Sequence, residues 1–173
     1  TGDLSKWDTS RVQDMSCMFM NARAFSGDLS KWKVSSVKDM NAMFQGAKAF
    51  NGDISKWDVS SVQKMNAMFW RAPNFNSDIS QWDVSSVTDM HLMFASAESF
   101  NGEISMWDVS SVVNMDHMFW EAAAFKRELC GAAWVHSKAS KTEMFELSAG
   151  SIAQRVCTTI PVINPASTPV FSP

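Results

Sequence analysis

The chain has 173 residues, 46% of them hydrophobic and 19% charged, with a formal charge of −3 at pH 7. That length suits one domain, and that apolar content is enough for a core. The mild acidity and the lack of any Lys/Arg cluster exclude a general nucleic-acid binder, and no apolar run approaches the roughly 18 residues of a membrane span.

The opening TGDLSKW lacks an initiator Met and starts in mid-pattern, so the chain is expected to be a fragment or a processed form. From there the sequence repeats every 25 residues, a period that must be read before anything else. Trp stands at 7, 32, 57, 82 and 107, and Val at 12, 37, 62, 87 and 112. Met fills 15, 40, 65, 90 and 115, and again 18, 43, 68, 93 and 118. Phe follows at 19, 44, 69, 94 and 119, and at 25, 50, 75, 100 and 125. No insertion breaks the spacing over five copies.

Within a copy, Asn51-Gly52 reads as a turn, followed by a short strand at Ile54 to Trp57. Val87, Met90, Met93, Phe94 and Ala97, at steps of three and four, predict a short helix from about Thr88 to Ala97. Ser36 before Asp39, and Ser86 before Asp89, give a partial capping box. One such unit cannot bury its apolar face alone, so the copies are expected to stack as an α/β solenoid of about five 25-residue repeats, one strand and one helix each. Residues 1–125 form this array. From Lys126 the register slips, with Trp134 two positions late and Met144-Phe145 one late, so 126–157 reads as a degenerate capping repeat. Residues 158–173, with Pro161, Pro165, Pro169 and Pro173, read as an extended tail. Cys130 and Cys157 can form one bridge closing that end or stay reduced, and Cys17 is left free.

The pattern F-N-x-D-I-S-x-W-D-V-S-S-V-x-x-M-x-x-M-F-x-x-A resembles the BspA-like leucine-rich repeats, the surface-lipoprotein type of about 25 residues, over residues 1 to 125. The segment LCGAAWVHSKASKTEMF resembles the C-terminal cap of algal arrays. The resemblance implies a right-handed leucine-rich-repeat-like coil and a role in protein binding or adhesion, with no catalytic residues to carry over. Unlike the surface members, this chain shows no lipoprotein Cys, anchor or signal.

In such a stack, residues 25 apart form columns, and variation within a column separates outside from inside. The constant columns are read as structural core: Trp32, Trp57, Trp82, Trp107, Met65, Met68, Phe69, Met90, Met93 and Phe94. Met is read as filling gaps against the rings rather than binding metal. The acidic column Asp3, Asp28, Asp53, Asp78, Glu103 and Glu128 is assigned to capping turn backbones in preference to calcium, which takes several oxygen ligands per site. The column of Asp8, Asp58, Asp83 and Asp108 admits Lys33, which places it in solvent. His91 and Asp116 share a column and can pair, with His117 adjacent. Zinc is disfavoured there because Asn41, Asn66, Ala42 and Ala67 fill the same columns, and His136 has no evident partner.

Candidate partner-binding residues are apolar groups in variable columns: Trp70, Trp120 and Met20 in one, and Met106 in another, where Lys6, Lys31 and Lys56 precede it. Large aromatic groups are over-represented as interface anchors. The expected role is a non-enzymatic scaffold without cofactors that binds other protein subunits as an accessory part of a larger assembly. Two settings are open, an organellar or membrane-associated complex and the cell surface or outside, where the alternative is an adhesin binding proteins or glycans.

Overall fold

The structure, a computed structural model, describes residues 4–157, and the tail expected at 158–173 lies outside the described residues. Regular secondary structure is nearly absent from them. It consists of strand β1 (Glu128–Leu129), helix α1 (Ala132–Val135) and strand β2 (Ser151–Ile152), with β1 and β2 paired in parallel. None of these lies in the five repeats. The right-handed, leucine-rich-repeat-like α/β solenoid, with one strand and one helix per copy, is therefore overturned.

What replaces the helix at 88–97 is a run of consecutive turns. The N–H groups of Met90, Leu92, Phe94 and Ser96 leave their own segment and donate to the carbonyls of Asn114, Asp116, Met118 and Trp120, at 2.7 to 3.0 Å. Those of Met93, Ala95 and Ala97 turn back three residues, to Met90, Leu92 and Phe94. An α-helix needs bonds to the residue four back, and here every second amide is committed elsewhere. Leu92 and Ser96 have positive φ, at 56° and 53°, which is what the third residue of a type II turn requires. The same two positions recur as Cys17, Ala42, Ala67 and His117, and as Asn21, Gly46, Arg71 and Glu121. A non-glycine residue there costs about 1–2 kcal/mol, and the bonds between segments hold it in place.

The strand expected at Ile54 to Trp57 fails for a related reason. Both residues are buried although three apart, which an alternating strand cannot provide. The Trp57 N–H closes a turn onto the Ile54 carbonyl at 3.1 Å. The partial capping box is absent too: the Ser36 hydroxyl donates to the Ser10 carbonyl, and Asp39 accepts the Asn41 N–H instead. Among the described residues, the only strand-like contacts between neighbouring segments outside β1 and β2 are isolated parallel bridges, from Asp14 to Asp39 and on through Lys64, Asp89 and Asn114 to Ser140.

The interior holds the constant columns. Met65, Met68, Phe69, Met90, Met93 and Phe94 are fully buried, and Trp32, Trp57, Trp82 and Trp107 nearly so. Two phenylalanines stack within each segment, as in Phe69–Phe75 at 3.7 Å and Phe94–Phe100 at 3.9 Å. Each also stacks on its counterpart in the next, as in Phe69–Phe94 at 5.7 Å. The indole N–H of Trp57, Trp82 and Trp107 donates to the carbonyl of Leu29, Ile54 and Ile79, so no polar atom of these rings is stranded. Trp134 makes the equivalent bond to Ile104 at 3.0 Å, and α1 takes up the two extra residues before it. Cys130 and Cys157 form a disulfide, with Cα atoms 5.1 Å apart, that ties the segment after β2 to the one before α1.

Candidate interaction face

Residues 20, 45, 70, 95 and 120 lie on the turn run, where from residue 45 onward the backbone is pinned from both sides. The carbonyls of Trp70 and Trp120 accept the N–H groups of Gly46 and Ser96, each at 2.7 Å. Both tryptophans are half-buried, whereas Ala95 between them is fully buried. The Arg71 guanidinium lies 4.8 Å from the Trp70 ring centre, a cation–π geometry. The Trp70 indole N–H is buried and meets no acceptor among the described residues, an unusual state for a ring that ordinarily finds one. Met20 is 44% exposed at the first segment, and Met106 is 75% exposed in its separate column.

Trp120 also lines a shallow cavity of about 370 Å³ with His91, Leu92, His117 and Glu143. His91 Nδ1 stands 2.9 Å from the Asp116 carbonyl, which can only accept, so Nδ1 carries the proton. His117 Nε2 stands 3.0 Å from the Glu143 carboxylate, and its Nδ1 is buried with no partner among the described residues. The two imidazoles meet edge-on, 5.8 Å between centres. The His91–Asp116 contact is thus made through the backbone. The Asp116 carboxylate is engaged by the Ser140 hydroxyl and the Thr142 N–H, and those bonds hold its pKa below the usual range. His136 is exposed and lines a separate groove beside Val113 and Lys138.

The acidic columns are occupied by turn bonds. Asp28, Asp53 and Asp78 accept the N–H of Ser30, Ser55 and Ser80, while Asp83 accepts both the hydroxyl and the N–H of Ser85. Bonds from these serines lower the carboxyl pKa values. Glu103 pairs with Arg127 at 3.0 Å, Glu128 lies in β1, and Asp3 falls outside the described residues. Among the described residues no group of three or more His, Cys, Asp or Glu is arranged to hold a metal ion. No helix among them is long and apolar enough to cross a membrane. Cys17 is a free, exposed thiol.

Three residues of this face were not singled out from the sequence. Glu143 pairs with a histidine 26 residues earlier, and the one-residue slip after Lys126 hides that neighbour from a strict 25-residue count. Arg71 and Leu92 follow a column already marked as variable, and their positive φ has no side-chain signature beyond Asn21 and Gly46 in the Arg71 column.

One family model, described as Mycoplasma protein of unknown function, DUF285, matches residues 1–78 and again residues 53–157. No curated protein and no solved structure matches the chain.

Proposed function

Because the chain belongs to the family described as Mycoplasma protein of unknown function, DUF285, whose description assigns no activity, we propose a function from its surface: a non-enzymatic scaffold that binds another protein subunit. Within the family, the F-N-x-D-I-S-x-W motif supports a closer kinship with BspA-like surface-repeat proteins. The observation that carries the binding role is the pair Trp70 and Trp120. Both are large, half-exposed rings on a backbone bonded to both neighbours, so little ordering entropy remains to be lost on docking. In this reading 1–125 presents the face and 126–157 closes it.

The test is the double substitution Trp70→Ala with Trp120→Ala, followed by size-exclusion of native lysate. The wild-type chain should elute within a particle well above 19.3 kDa, and the double variant as a free chain with unchanged near-UV circular dichroism. Co-elution of the double variant with the same particle would end this reading. A second reading, an adhesin that binds glycans, draws on the Trp120 cavity, where a ring stands beside His91, His117 and Glu143. Glycan-array binding abolished by Trp120→Ala alone would favour it.

A further inference from the structure

The turn runs are sorted by charge. Three of them, at 16–25, 41–50 and 66–75, hold Arg23, Lys48 and Arg71 and no Asp or Glu. The next three, at 91–100, 116–125 and 142–150, hold Glu98, Asp116, Glu121, Glu143 and Glu146 and no Lys or Arg. The Ala49 N–H donates to the Arg23 carbonyl, that of Ser99 to Pro73 and that of Ala124 to Glu98, which keeps residues 23, 48, 73 and 98 in one column. Lys48, Arg71 and Glu98 line one shallow depression of about 270 Å³ with Pro73 and Ser96. That depression marks where the basic half of the face meets the acidic half.

Arg23, Lys48, Arg71, Glu98 and Glu146 are exposed, and none of them has an ion-pair partner among the described residues. Like charges on neighbouring segments repel, so the face is stabilised by a surface on which the order is reversed. A second copy turned end for end carries that surface. Reversal about the depression sets Arg71 opposite Glu98, Lys48 opposite Glu121 and Arg23 opposite Glu146. We propose that two copies pair antiparallel through the tryptophan face, about a two-fold axis at the depression, with each of these pairs formed twice. This rests on the protein-binding reading of that face and names its occupant.

The side chains suit this arrangement. The Arg71 guanidinium stacks on the Trp70 ring at 4.8 Å, which fixes its plane and leaves its N–H groups for a carboxylate. Trp70 and Trp120 supply the apolar area between the charged pairs. Asp116 and Glu143 take no part, because Ser140 and Thr142 engage the one and His117 the other. Glu121 accepts the Ser96 hydroxyl at 3.2 Å and retains a second oxygen for Lys48 of the other copy. A parallel pairing would set Lys48 against Lys48, and the charges forbid it. A two-fold interface uses the same patch on both copies and closes at two. Exposed ion pairs are weak singly and screened by salt, so the dimer is salt-sensitive.

Sedimentation equilibrium of the purified 173-residue chain over a concentration series tests it. The weight-average mass should level off at two chains, and the dissociation constant should rise between about 0.05 M and about 0.5 M salt. Lys48→Glu and Glu121→Lys should each weaken pairing about tenfold, with circular dichroism verifying the fold of each. An equimolar mixture of the two variants should regain the dimer, because each substituted residue then faces an opposite charge in the other chain. A gain made by mixing cannot come from repair within one chain. A monomer at every concentration, a mass that climbs past two chains, or a mixture no tighter than its separate variants overturns the proposal. Arg23→Glu with Glu146→Arg replaces the pair if either variant does not fold. A purified monomer beside a tryptophan-dependent particle in lysate refutes the second copy alone, whereas the protein-binding reading falls only if the double tryptophan variant stays in that particle.

Discussion

The indole N–H of Trp82 donates to the carbonyl of Ile54, 3.1 Å away and 28 residues earlier, in a setting where both residues are buried. Phenylalanine would fill much of the same space and remove one of the two bonds that carbonyl accepts, leaving the one from the Trp57 N–H. Trp82→Phe should therefore lower stability by about 0.5–1.5 kcal/mol, read as a shift of the urea midpoint at constant slope. Loss of the same size is expected at Trp57, whose bond to Leu29 is equivalent.

Truncation inside the aromatic rows should be far more damaging than truncation outside them. Phe94 contacts Phe69, Phe100 and Phe119 and is fully buried. Phe94→Ala is expected to cost about 3–5 kcal/mol, while Met106→Ala, at a side chain 75% exposed, should stay within about 0.5 kcal/mol. Thermal unfolding of the two variants side by side decides it.

Acid should unfold the protein through its turn carboxylates. Bonds from Ser30, Ser55, Ser85 and Ser110 lower the pKa of Asp28, Asp53, Asp83 and Asp108 in the folded state. A depressed folded pKa means that the stabilisation is complete above the unfolded carboxyl value, about 3.9, and disappears as pH falls through the lower folded values. Melting temperature should thus be level above about pH 5 and decline below it. Asp83→Asn should reduce the steepness of that decline.

The disulfide closes a loop with a sequence separation of 27. Cys157→Ser, or a reducing agent, should lower stability by about 3 kcal/mol, with hydrogen exchange accelerating first at Ser151–Ile152. A reducing agent should have no further effect on Cys157→Ser, because Cys17 is unpaired.

The period was legible in the sequence because the interior columns admit no insertion: Phe69, Phe94 and Phe119 lie 25 apart and touch in turn. The local conformation was not legible. Val87, Met90, Met93 and Ala97 fall on one face whether the backbone is a helix or a chain of three-residue turns, and side-chain spacing cannot tell these apart. What decides is where the amides of Leu92, Phe94 and Ser96 go, and all three leave the segment. A hint lay in Asp39 and Asp89, each two residues before a backbone N–H that its carboxylate accepts, since Asp in that role favours a turn over a helix interior. At the candidate face, the variable column pointed to Trp70 and Trp120, but the Glu143 partner of His117 lay behind the slipped register.

The one-way run of amides and carbonyls makes the molecule adjustable in whole steps. Excising residues 58–82 would bring Trp107 to the place of Trp82, and duplicating them would insert one more identical layer; neither change calls for a new kind of contact. A single inserted residue is another matter. It would set turn-bonded amides against carbonyls that await a neighbour, so this architecture tolerates growth by twenty-five far better than growth by one.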